Sequence, residues 1–123
     1  MEFEEGHAAL ALLERVRYGR LALTRRALPY IAVARHVVHD GAVLIRTRRA
    51  WGVDGTVVAY QADDVEAGWA VQFLGTARAF EPSDEQRALF GTETRNDTTP
   101  SPGYVYVRLD PRVHHRNDLA SAW

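Results

Sequence analysis

The 123-residue chain contains no cysteine, which excludes disulfides, thiolate catalysis and cysteine zinc sites. It contains no lysine either: all 15 basic residues are arginine. A Schiff base needs a lysine amine, so covalent pyridoxal phosphate catalysis is excluded. A Walker A loop needs the same side chain and is excluded with it. Any phosphate site must be built from arginine, hydroxyls and backbone N–H groups. No apolar run approaches the ~20 residues of a membrane span. The acidic start, Met1 to His7, lacks the pattern of a signal peptide. No membrane partner is expected, and a soluble cytoplasmic protein is the expectation. A charge excess is also missing. With 15 basic and 16 acidic residues the net charge is −1, whereas a nucleic-acid binder needs a basic face. No nucleic-acid partner is expected, and a local basic pocket stays open.

What is present suffices for a core. Apolar residues make up 46% of the chain, and the length suits one domain over 1–123. The most informative stretch runs from Pro29 to Arg49. Two strand-forming runs, Pro29–Val38 and Ala42–Thr47, flank a His39-Asp40-Gly41 turn, and Asp-Gly between β-branched runs signals a hairpin. The second run ends in Arg46-Thr47-Arg48-Arg49. Three guanidinium groups and a hydroxyl at a strand end offer charge-assisted hydrogen bonds to a phosphate. A solvated basic turn fits the same spacing.

The rest of the chain reads as short elements. Glu2 to Arg17 is amphipathic, with Leu10, Leu13 and Val16 in one stripe, and Gly19 suits the residue that ends such a helix. Arg20–Thr24 is a short strand. In the strand opened by Pro29, Ile31 and Val33 face one way, and Tyr30, Ala32 and Ala34 the other. The small residues admit a flat ligand or another chain, or ordinary packing. His36 and His39 are three apart, so a strand points them to opposite faces, and no metal site is expected. Thr56–Ala62 is a strand, and Asp63-Asp64 opens an acidic loop that reads as a solvated surface or as acid–base or metal chemistry. Gly68–Glu81 is the longest strand signal, with Gly75 as its expected bend or bulge. Ser83 and Gln86 form a capping box for a short helix that stops at Gly91. Thr92–Gly103 is a polar loop and a candidate lid. Tyr104–Leu109 is a last strand, followed by a tail ending in Trp123. The pattern gives a mainly β fold: a six-stranded antiparallel split β-barrel with an N-terminal helix and a short peripheral helix.

In this order the pieces resemble the pyridoxamine 5′-phosphate oxidase-like family of flavin-binding split barrels, over roughly residues 8 to 116. The carriers are Gly19-Arg20-Leu21-Ala22-Leu23, Pro29-Tyr30-Ile31, Val43-Leu44-Ile45-Arg46-Thr47 and Val58-Ala59-Tyr60 with Asp63. They continue in Gly68-Trp69-Ala70-Val71, Gly75-Thr76-Ala77 and Val107-Arg108-Leu109-Asp110-Pro111-Arg112-Val113. The resemblance implies a homodimer with two FMN sites at the subunit interface. It implies a phosphate held by Arg46, Thr47, Arg48 and Arg49, and a ring along the second and third strands near Val33, Ala34 and Arg35. Trp69 and Gln72 are the implied contribution of the partner subunit. Two departures stand out. Family members carry a lysine after the Thr47 position; here that segment is shorter, and Trp51-Gly52 stands near the expected lysine. A position that is commonly polar in the family's oxidases is Ala70.

Three functions are open. The first is an FMN-dependent oxidoreductase acting on a small molecule, with a deazaflavin as a variant cofactor. The flavin would carry the redox chemistry, which suits a chain without a recognisable triad or acid–base pair. The second is a non-enzymatic flavin or haem binder, with His36, His39, His114 and His115 as conceivable haem ligands. The third is a dimeric module that has lost its cofactor.

Overall fold

The computed structural model describes residues 3–48, 52–91 and 104–119. The Asp-Gly signal is where the chain turns. Asp40 and Gly41 take positive φ values of 50° and 75° between β2 (Leu28–His39) and β3 (Ala42–Thr47), the backbone of a type I′ hairpin. A second two-residue turn, Arg26-Ala27, joins β1 (Tyr18–Arg25) to β2, again with both φ values positive. The remaining strands are β4 (Val57–Asp64), β5 (Trp69–Ala79), β6 (Val105–Leu109) and β7 (Val113–Asp118).

All pairings are antiparallel. The strand order β4-β1-β2-β3-β6-β5 closes on itself through a β4–β5 ladder, giving a six-stranded barrel, and β7 adds a seventh strand beside β5. That strand corrects the reading of the segment after Pro111 as a tail. Val113–Asp118 has one strong apolar residue, so it carries no alternation signal. It is recruited by the free backbone edge of Trp69–Leu74.

Gly75 is not a bulge. Burial alternates without a slip from Val71 to Ala77, and Gly75 keeps its place opposite Val58. It lies where the second neighbour of β5 changes from β7 to β6. There the Asp110 carbonyl would stand 2.5 Å from a Cβ, so only glycine fits.

Inward alternation builds the core from Leu21, Val43, Ile45, Tyr60, Phe73, Val107 and Leu109, all fully buried. Helix α1 (Phe3–Leu13) adds Ala9, Leu10 and Leu13 to the same cluster. It ends four residues before Arg17, because tightened turns (Arg15 N–H to Leu12 O, 3.0 Å; Val16 N–H to Leu13 O, 3.3 Å) lead the chain into β1. Gly19 is therefore a strand residue rather than a helix stop. Its missing Cβ leaves room for the Tyr60 ring, which would lie 2.6 Å from one. Helix α2 (Asp84–Leu89) has the expected capping box: the Ser83 hydroxyl accepts from the Gln86 N–H, and the Gln86 side chain accepts from the Ser83 N–H. No helix among the described residues is long and apolar enough to cross a membrane.

Candidate functional site

Alternation along β2 turns Ala32, Ala34 and His36 inward, and Ile31, Val33 and Arg35 outward. Cross-strand register then builds the outer face row by row. One row is apolar across five strands: Ile31, Ala22, Ala59, Leu74 and Val113. The next runs Val33, Arg20, Gln61, Gln72 and His115. Within it Arg20 reaches Gln61 Oε1 at 3.3 Å and Asp63 at 3.5 Å. Ile31 and Val33 are 74% and 72% exposed, and Val57 on the outer face of β4 is exposed as well. Large aliphatics facing water side by side mark a surface that something covers.

At the edge of this apolar face sit two arginines of like charge. Arg35 on β2 stands directly opposite Arg46 on β3. Burial, then the Arg17 charge and Arg46, push the Arg35 guanidinium below its ordinary pKa. Arg35 donates to two backbone carbonyls, those of Arg17 (3.3 Å) and His36. Arg46 is held by aromatic rings. Its guanidinium lies 5.3 Å from the centre of Phe90 and 4.9 Å from that of Tyr104, within cation–π range. Arg48 lies 4.8 Å from the same Tyr104 ring and reaches the Tyr104 hydroxyl at 3.4 Å. Among the described residues no carboxylate forms an ion pair with Arg35 or Arg46. Like charges directly opposite destabilise a sheet pair, and an anion between them removes that cost. Guanidiniums fixed by rings and carbonyls have the chemistry of a phosphate or carboxylate receptor.

The structure divides the residues that sequence reading grouped together. Val33, Arg35 and Arg46 share the outer face, and Arg48 joins them through Tyr104. Ala34 does not: its side chain is in the core. Thr47 is 3% exposed, and its hydroxyl donates to the Val33 carbonyl at 3.1 Å, so it ties the end of β3 to β2. Trp69 turns inward and packs in the barrel core. Gln72 is on the outer face but three strands from Val33, about 14 Å at the usual strand spacing. Arg49, Trp51, the candidate lid Thr92–Gly103 and Trp123 lie outside the described residues.

The histidines separate as well. His36 is buried, with Nε2 2.9 Å from the Leu13 carbonyl and Nδ1 2.5 Å from the Tyr60 hydroxyl. A carbonyl only accepts, so Nε2 carries the proton and the Tyr60 O–H donates to Nδ1. Burial lowers the pKa of the imidazole and raises that of the phenol, which keeps both neutral. Both ring nitrogens are thus engaged. His39 faces Asp40 at 3.3 Å. Among the described residues no group of three or more His, Asp or Glu side chains is placed to hold a metal.

Sequence reading missed Phe90, Tyr104 and Tyr106. Tyr106 stands opposite Arg46, and its ring meets those of Phe90 (5.6 Å) and Phe80 (6.0 Å) edge-on. The Tyr104-Val105-Tyr106 alternation was the available signal, since it puts both tyrosines on one face of a strand.

Comparisons with known proteins agree with this architecture. Residues 5–121 match the pyridoxamine 5′-phosphate oxidase family. An uncharacterised protein of Mycobacterium tuberculosis, Rv0080, is 42% identical over an 82-residue alignment that takes in 56% of this chain and 54% of the relative. The chain thus spans about half the length of that curated relative. Among solved structures, a Corynebacterium glutamicum protein provisionally named a pyridoxamine 5′-phosphate oxidase is 28% identical, with a TM-score of 0.67. The match covers 94% of this chain and 93% of that one. An FAD binding protein of Mycobacterium smegmatis, 23% identical, shares the fold with a TM-score of 0.65 over 89% of this chain and 90% of its own. A closed antiparallel barrel, the ordered sequence pieces and a family match over nearly the whole chain lead to one assignment: this chain belongs to the pyridoxamine 5′-phosphate oxidase-like family of split β-barrels.

Proposed function

We propose that the chain is a flavoprotein that binds FMN at the seam of a homodimer and serves as a flavin-dependent oxidoreductase for a small molecule. One observation carries this reading. Two arginines without a carboxylate partner among the described residues stand beside exposed aliphatics, a pairing that suits a phosphate joined to a flat apolar ring. Arg46 and Arg48 anchor the phosphate. Val33 covers one side of the ring, and Arg35 sets a positive potential at its edge. The family supports a flavin, and the FAD named for the M. smegmatis relative supports the same cofactor class. A deazaflavin would use the same face.

The homodimer rests on the apolar row and on distance. A ring lying on Val33 is about three strands, or ~14 Å, from Gln72 of its own chain. A second copy docked across the row brings its own outer face to the ring. When bound, the flavin supplies the redox chemistry. The chain's residues bind the phosphate, orient the ring and exclude water from it. Among the described residues no carboxylate pairs with Arg35 or Arg46, so these side chains offer the ring and phosphate positive charge.

The test is a titration of wild type and Arg46→Ala with FMN and with riboflavin, which lacks the phosphate. A charge-assisted hydrogen bond contributes about 1.5–3 kcal/mol, so the variant should lose FMN affinity roughly ten- to a hundred-fold. Riboflavin affinity should change far less. Equal losses for both ligands would make Arg46 a structural residue and move the phosphate elsewhere.

A further inference from the structure

Beyond Arg46 the outer surface opens into a cleft of 720 Å³ between the end of β5, α2 and the start of β6. This volume is in the range of pockets that hold small ligands. Its walls include Phe80, Glu81, Arg87, Tyr104 and Tyr106. Tyr104 belongs to both places: its ring carries Arg46 and Arg48, and its side chain lines the cleft. The strand order makes a line of it. Arg35 on β2 is opposite Arg46 on β3, and Arg46 is opposite Tyr106 on β6. The Phe80 N–H then binds the Tyr106 carbonyl at 3.0 Å. A ligand with its ring on β2 and its phosphate at β3 therefore points its far end into the cleft.

FMN ends at that phosphate. We propose that the cleft holds the adenosine half of FAD, with Arg87 on the second phosphate. This rests on the flavin reading above and goes beyond it by naming the larger cofactor and the residues that select it. Phe80 and Tyr106 meet edge-on at 6.0 Å and are only half-buried, so a purine can stack on them. Arg87 is the one cation among the described lining residues. Its side chain is 55% exposed, and its partner Asp84 is 3.8 Å away and fully solvated, a weak pair that a phosphate displaces. The Glu81 carboxylate offers an acceptor to the exocyclic amine of adenine.

The experiment titrates the full chain with FMN and with FAD, for wild type, Arg87→Ala and Phe80→Ala. Wild type should bind FAD at least roughly tenfold more tightly than FMN. Each variant should lose most of that margin while its FMN affinity stays at the wild-type value, and that unchanged affinity reports an intact fold. Equal wild-type affinity for FMN and FAD would overturn the proposal and leave the flavin reading standing. Equal losses of both ligands in the variants would overturn it too, by showing that Phe80 and Arg87 support the barrel. A wild-type protein that binds neither ligand would remove the flavin reading and this inference together.

Discussion

His36 shows how one buried polar side chain fixes an element and sets a pH limit. Its Nε2–H holds the last carbonyl of α1, and its Nδ1 accepts from Tyr60 on β4. The groups around it are the Leu13 and Val16 backbone, Tyr60 and the Arg35 guanidinium. Burial and the Arg35 charge hold its pKa below the ordinary 6.5, although the backbone hydrogen bonds oppose them. The unfolded chain therefore binds a proton that the folded chain refuses. Stability is full above the unfolded pKa of about 6.5. It is lost as pH falls below that value, until the folded ring itself protonates. Thermal melts between pH 8 and pH 5 should show wild type losing Tm steeply on acidification. His36→Gln, which keeps a donor and an acceptor without titrating, should start lower and lose less. Parallel pH profiles for the two proteins would show that His36 does not carry the acid sensitivity. Sequence reading placed His36 on the face opposite His39, which is where it lies, but its partners Leu13 and Tyr60 are 23 and 24 residues away. No local pattern reveals them.

Turns and edges decide which elements were legible. The Asp40-Gly41 and Arg26-Ala27 turns share one backbone geometry, yet only the first has residues that favour it. Positive φ costs an ordinary residue roughly 1–2 kcal/mol, and Arg26 and Ala27 bear it because the β1–β2 register leaves two residues for the turn. Ala27→Gly should therefore raise stability by about 1 kcal/mol, which is a Tm increase of about 4 °C for a chain of this size. An unchanged or lower Tm would mean that the turn is not under strain. The capping box of α2 was legible because Ser83 and Gln86 are three residues apart and act within one turn. β7 was illegible because its stability comes from the ladder with β5 and not from its own side chains. The arginines at the end of β3 were legible as a run. Their aromatic partners Phe90 and Tyr104 were not, since they lie 44 and 58 residues beyond Arg46.

In the proposed homodimer one barrel would be half of a functional unit. The outer face of β2, β1 and β4 carries Ile31, Val33 and Val57 in water, and burying each such side chain contributes about 1.5–3 kcal/mol. In the proposed homodimer a second copy would cover those residues and close the site around Val33, Arg35 and Arg46. Ile31→Glu separates the two consequences. Ile31 is 74% exposed and outside the core cluster, so the variant should keep its fold while a carboxylate disrupts the seam. Sedimentation analysis at micromolar concentration, run with and without FMN, is the direct measurement. Wild type should sediment as a dimer carrying two flavins. Ile31→Glu should sediment as a folded monomer with FMN affinity reduced at least roughly tenfold, although Arg35 and Arg46 are intact. A wild-type monomer, or a monomeric variant that binds FMN as tightly as wild type, would contradict the interfacial site.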